Sequence, residues 1–379
     1  MTQHQLGGPA DPADAGGPAG AGGSHRPAAD AVRRTRIQRA LIGSTAVALV
    51  TGFGAMALPS PFVVESPGPA INTVGIVDGE PVIRVSGRES FQPEGPLDLT
   101  TVYVRGGADR RIPFFQVLQG WVDPAQDVYP EETVYPRGTT DEQITEQNTA
   151  QMDSSQQTSV AAALGSLGIE YGQTISVAEL ATATNAGILQ QGDVLRTVNG
   201  ERIADATMLR ERLQDAGDAP SMLGLERDGE ELEVEVVTAA SPEGQRLLGV
   251  FLDTAYDFPF DVDFTLTNVG GPSAGLMFSL GLIDTLTPGE LAGGRHVAGT
   301  GTIDAAGAVG PIGGIAQKLV GARDNGAELF LAPAGNCEEV LGRIPDGLSV
   351  VKVETLDDAR AALEHVAAGE DPASLPACG

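Results

Sequence analysis

The chain is most constrained near its N-terminus, where no charged side chain occurs between Arg39 and Glu65. Within that interval, Ala40 to Leu58 is a 19-residue, predominantly apolar run, close to the ~20 residues a helix needs to cross a bilayer core. Arg33, Arg34, Arg36 and Arg39 precede it, and arginines beside an apolar span hold that side in the cytoplasm. The stretch before them is rich in Gly, Ala, Pro and Asp and has no apolar periodicity. The expectation is a disordered cytoplasmic tail over residues 1–35, a transmembrane helix over 36–58, and a body outside the cytoplasmic membrane. A cleaved signal peptide competes, since Ala55-Met56-Ala57 has a cleavage-site pattern. The long segment ahead of the arginines is unlike an ordinary signal and favours an uncleaved anchor.

Composition narrows what the body can do. Its 41% hydrophobic content is enough to build cores, and 379 residues allow two or three domains. Acidic residues number 51 against 23 basic ones, for a formal charge of −28; such a surface repels phosphate backbones and excludes general nucleic-acid binding. Cys337 and Cys378 are the only cysteines, too few for a disulfide scaffold or a cysteine-built zinc site, and their pairing stays open. With His4 and His25 in the tail, only two of the four histidines remain for a metal centre, and no metal site is expected.

The body reads as a multidomain α+β chain in three parts. Residues 59–159 alternate short β-like runs, Pro81 to Val85 and Leu97 to Arg105, with Pro- and Gly-rich turns, then a polar helix or linker from Thr139 to Thr158. They are expected to form a β-rich juxtamembrane module. Residues 160–240 open on an amphipathic helix at Val160 to Leu167, then hold a helix at Ala206 to Ala216 and a hairpin turning at Asp228-Gly229. Within them Ala186-Gly187-Ile188, Gly192-Asp193-Val194-Leu195, Val198-Asn199-Gly200 and Ile203 form a run that resembles bacterial PDZ domains. The resemblance implies peptide binding by strand addition, with Leu167, Gly168 and Ile169 corresponding to the peptide-binding carboxylate loop. A small β-rich spacer with an Asn-Gly turn is the alternative.

Residues 246–369 alternate strand and helix patterns and carry the chemistry. Gly270-Gly271-Pro272-Ser273-Ala274-Gly275 follows an alternating strand, Val262 to Leu266, and precedes an apolar helix, Leu276 to Leu286. Pro272 suits a helix start, and small neighbours expose Ser273 where free N–H groups favour negative charge. A serine there can be a nucleophile beside an oxyanion hole, or merely an N-cap. Lys318 separates the two. In a helix from Ile315, positions 315, 318, 319 and 322 share one stripe, so one of only two lysines in the chain points toward the core. Burial lowers an amine's pKa, and a neutral amine can take a proton from serine where arginine cannot. For Lys318 alone, a stem snorkelling along the core edge explains the position as well.

Together the segments resemble the proteolytic domain of Lon-type serine proteases. The match runs through Gly271 to Gly275, Thr300-Gly301-Thr302-Ile303, and Gly307 to Lys318, and on to Gly326 and Pro333. By that resemblance Ser273 is the nucleophile, Lys318 the general base and Thr300 a residue that holds the lysine, with Gly271, Pro272 and Ala274 shaping the nucleophile loop. The anchor and PDZ-like run in front make the whole similar to membrane-anchored PDZ–Lon proteins of the YlbL type. Many Lon proteases have Asp where this chain has Gly270 and Glu where it has Thr302, so local hydrogen bonding should differ. No G-x4-G-K-[ST] phosphate loop occurs. The implied activity is ATP-independent endoproteolysis of flexible or unfolded exported or membrane-protein segments, without a cofactor, and self-association is left open.

Two other readings compete. Gly271 to Gly275 also satisfies the G-x-S-x-G of α/β-hydrolases, which would require an acid and then a histidine such as His365; Pro272 directly before the serine suits that elbow poorly. The second is a non-catalytic peptide-binding scaffold, a fate that usually costs a protease its nucleophile or base.

Overall fold

The computed structural model describes residues 27–378 except 108–109, 137, 243 and 267–268. The chain divides into two units at the Leu58–Pro59 junction. In the first, α1 (Pro27–Met56) starts on a proline, whose missing N–H is harmless at a first helical position. Gln38–Met56 is long and apolar enough to cross a membrane. Its apolar side chains face outward, with Val50 and Phe53 73% and 78% exposed. The hydroxyls of Ser44 and Thr51 donate back to the carbonyls of Leu41 and Val47, so neither hydroxyl needs water. The tail expected over 1–35 lies outside the described residues as far as residue 26. From Pro27 the Ala- and Arg-rich sequence is helical instead.

The principal elements of the second unit follow in three groups. The chain first lays down β1 (Phe62–Asn72), β2 (Ile83–Ser86), β3 (Leu97–Arg105), β4 (Asp127–Pro130) and the long helix α2 (Asp141–Ser166). Then come β5 (Gly172–Leu180), β6 (Val194–Val198), α3 (Ala206–Ala216), β7 (Ser221–Arg227), β8 (Glu230–Val236) and β9 (Val250–Asp257). The remainder contributes β10 (Asp261–Phe264), α4 (Gly275–Leu286), β11 (Val297–Gly299), β12 (Thr302–Ile303), β13 (Val309–Gly310), α5 (Ile315–Asp324), β14 (Leu329–Pro333), β15 (Ser349–Val353) and α6 (Leu356–Ala367).

One six-stranded sheet has the order β15-β14-β11-β3-β1-β4. β11 runs parallel to both β3 and β14, with Val297 opposite Leu97 and Leu329. β14 is buried throughout because both faces are covered: Leu329 and Leu331 join the core formed with α2, α4 and α6, while Phe330 and Ala332 join Ile315 and Leu319 of α5 on the other side. The result is a three-layer mixed α/β body. A disulfide between Cys337 and Cys378 ties the C-terminal segment to it.

This pairing corrects the expected division. Residues 59–159 are no separate juxtamembrane module, since β1, β3 and β4 belong to the same sheet as β11, β14 and β15. Leu97, Leu99 and Leu164 share one core with Phe278 and Leu363. The polar stretch from Thr139 is also no linker. Thr140 caps α2 with a reciprocal capping box with Gln143, and the helix packs on α4 through Val160 and Leu164.

The inserted unit has its own sheet, β8-β7-β6-β5-β9, and its own core, including Ile175, Leu195, Leu209, Leu213 and Leu223. It spans 172–257 rather than 160–240. The Asp228-Gly229 turn closes β7 and β8 with positive φ at both residues. Asp193 is buried and structural: it accepts from the Arg227 guanidinium at 2.7 Å and from the Gln190 N–H at 2.8 Å. Leu167, Gly168 and Ile169 are not a peptide loop. They stop α2, with Gly168 at φ +67° and the Ile169 N–H donating to the Leu164 carbonyl. Leu167 and Ile169 then pack on the main core. The open edge lies elsewhere, on β9, which pairs with β5 on one side and ends the sheet.

Candidate active site

Ser273 directly precedes Ala274, the N-cap of α4, every residue of which is buried. The loop leading to it turns at Gly271, whose φ of +84° only glycine adopts without strain. Gly275 permits a close approach: a Cβ there would lie 2.9 Å from Ile303 Cγ2 and 3.0 Å from Ser155 Oγ. α2 braces this loop twice. The Gly271 N–H donates to the Asn148 carbonyl at 3.0 Å, and the Ser155 hydroxyl donates to the Pro272 carbonyl at 3.1 Å. Among the described residues the N–H groups of Ser273 and Ala274 make no backbone hydrogen bond, which leaves two backbone donors uncommitted beside the serine hydroxyl.

Lys318 reaches the same point from α5, on the opposite face of the sheet. Its side chain is 2% exposed. Nζ lies 2.7 Å from Ser273 Oγ and 2.9 Å from Thr300 Oγ1. The Thr300 hydroxyl donates to the Ser273 carbonyl at 2.9 Å, and so does the Gly301 N–H. Thr300 therefore fixes both partners, as an acceptor for the lysine and a donor to the serine backbone. Burial drives the lysine down to about 7, partly opposed by the Glu65 carboxylate on β1. Glu65 is itself pushed up, first by burial and then by Asp127.

Near neutral pH the dyad thus holds a substantial fraction of free amine within hydrogen-bond reach of a serine hydroxyl, the requirement for activating that hydroxyl as a nucleophile. The two described histidines are engaged elsewhere. His296 bonds Asp98 at 2.7 Å, and His365 on α6 bonds Glu370 and Ser374 at 3.0 and 2.9 Å. Among the described residues, the acid–histidine pair of an α/β-hydrolase is not assembled at Ser273. The structure brings Ser273, Lys318 and Thr300 together. Asn148, Ser155 and Glu65 were not foreseen, and none carries a motif that could have marked it.

Residues 265–365 match the Lon protease (S16) C-terminal proteolytic domain. Lon protease 1 of Bacillus subtilis is 33% identical over 118 residues, which are 30% of this chain and 15% of that protein. Lon protease of Azospirillum brasilense is 40% identical over 92 residues, 23% of this chain and 11% of that protein. The chain therefore spans only 11 to 15% of the length of these relatives. Among solved structures, the PDZ domain of an SdrC-like protein from Listeria monocytogenes covers 21% of this chain and 85% of its own, at 12% identity and a TM-score of 0.20.

Proposed function

We infer that this chain, whose residues 265–365 form a Lon-type proteolytic domain, is a serine endopeptidase that works through Ser273 and Lys318, anchored in the cell membrane by α1. The observation that carries the reading is the 2.7 Å contact between the Ser273 hydroxyl and a lysine that burial holds near neutrality. In acylation the Ser273 Oγ–C bond forms as the hydroxyl proton passes to neutral Lys318 Nζ. The resulting ammonium then gives that proton to the leaving amine as the peptide C–N bond breaks. Water repeats the sequence on the acyl-enzyme, with Lys318 again as base, and the resting amine returns. Free N–H groups at the start of α4 receive the developing oxyanion.

Substrates in this reading are flexible or unfolded segments of exported or membrane proteins, cut without ATP, with the PDZ-like unit offering the β9 edge to an added strand. The body lies outside the cytoplasm, as the arginines in the N-terminal part of α1 and the Cys337–Cys378 disulfide both suggest. The test is mass spectrometry of membrane and secreted proteins from cells carrying wild type or Ser273→Ala. Uncut substrates should accumulate in the variant; identical profiles would leave a binding scaffold as the better account.

A further inference from the structure

Two grooves of the body share a wall. The first, about 530 Å³, lies between α2 and the turn after β12 and is lined by Gln151, Ser155, Thr158, Pro272, Ile303 and Asp304. It opens beside Pro272, the residue bonded to Ser273. The second, also about 530 Å³, lies between the inserted unit and the same turn. Thr254 and Tyr256 of β9 line it, with Asp205 and Arg210 at the start of α3, Ala306, and again Thr158 and Asp304. Thr158 and Asp304 border both, so the two grooves adjoin there and together form the candidate channel.

The channel has a polarity. The start of α3 faces the end of β9 across the second groove. Near the other end of α3, Gln214 accepts from the Arg246 N–H at 2.9 Å, just ahead of β9. α3 and β9 are therefore antiparallel, and the cleft between them leads directly toward Thr158 and Asp304. A strand added antiparallel to the free edge of β9 enters at Tyr256 and ends near Val250. The residues N-terminal to that strand would lie in the channel and lead to Ser273.

We propose that one extended polypeptide fills the whole channel at once, its C-terminal part paired with β9, its middle passing between Thr158 and Ala306, and its scissile bond at Ser273. The proposal rests on the protease reading of Ser273. Asp205, Glu211 and Asp304 against Arg210 make the lining net acidic, so the crossing segment is neutral or basic rather than acidic.

The test uses the full chain in detergent and two probes: an 8-residue peptide long enough only for the Ser273 end, and a 30-residue unstructured polypeptide with a Gly/Ser/Lys middle. With Ala306→p-benzoylphenylalanine in a Ser273→Ala background, light should crosslink the 30-residue probe at its middle. Thr207→Trp, and separately Ala306→Trp from the opposite wall, both lining the second groove alone, should slow cleavage of the 30-residue probe at least tenfold while leaving the 8-residue peptide within twofold. Absence of the crosslink, equal losses for both probes, or no loss in either tryptophan variant would overturn the channel. A crosslink without cleavage of either probe by wild type would support the channel and overturn the protease reading.

Discussion

Replacing Lys318 by methionine keeps the length of the side chain and removes its proton. In the folded chain burial has driven the lysine from 10.5 to about 7, while in the unfolded chain it titrates at its ordinary value. Between those two values the unfolded state binds one proton more than the folded state, so wild-type stability rises with pH across that window. Below about pH 7 the cost of neutralising or burying the charge is complete, and above 10.5 it is gone. At 1.36 kcal/mol per pKa unit the full cost is about 5 kcal/mol. Methionine has no such dependence, so the stability of Lys318→Met relative to wild type should fall by about 1.4 kcal/mol from pH 8 to pH 9. Loss of the bonds to Ser273 and Thr300 costs about 1–3 kcal/mol for each partner left unsatisfied, which shifts the offset between the two proteins but not its slope. Urea titrations can follow this through Trp121, the single tryptophan, which packs edge-on against Phe62 of β1 at 5.8 Å and Phe114 at 6.2 Å. Parallel pH dependences for the two proteins would show that Lys318 is not buried near neutrality and would remove the base from the proposed chemistry. The same value near 7 requires wild-type cleavage to rise about tenfold from pH 6 to pH 8 as the free amine fraction grows.

Ser155→Ala removes the donor to the Pro272 carbonyl and should lower kcat about fivefold with KM unchanged, at a stability cost of about 1 kcal/mol; steady-state kinetics showing lost stability but intact kcat would make Ser155 a packing residue only. Reduction of the Cys337–Cys378 disulfide opens a constraint across a sequence separation of 41 and should destabilise the body by about 4 kcal/mol, read as a urea-midpoint shift with dithiothreitol. Arg227→Met strands the buried Asp193 carboxylate and should loosen the inserted unit by about 3–5 kcal/mol; hydrogen exchange should quicken in β6 and β7 while hydrolysis of a short peptide persists. Protease added to intact spheroplasts should digest the body and spare the segment before α1, and a body protected until lysis would reverse the topology.

The candidate site was legible because its signals are local. Pro272 and Ser273 at a helix start and Lys318 on an apolar stripe are each visible within a few residues, and the structure puts them 2.7 Å apart. The framework was not legible, because its pairings are distant. The Thr100 hydroxyl reaches the Gly299 carbonyl across 199 positions, and Ser155 reaches Pro272 across 117. Neither separation leaves a periodic trace, so the first half of the protease sheet passed for an independent module.

The insertion point shows why no boundary was visible there. A flexible linker would have been rich in Gly and Ser, but the chain leaves β9 through Phe258-Pro259-Phe260 and enters β10 at once, with Phe260 already in the main core. On the way in, Leu167 and Ile169 pack on that core directly after α2. The two crossings are also tied to each other: Tyr171 meets Phe258 at 5.6 Å and Tyr256 at 5.9 Å, and Tyr256 stacks on Phe258 at 5.5 Å. Aromatic pairs of this kind contribute about 0.5–1.5 kcal/mol each beyond their burial, and swinging the inserted unit away would break them together. The sequence that hides the boundary is therefore the sequence that stiffens it.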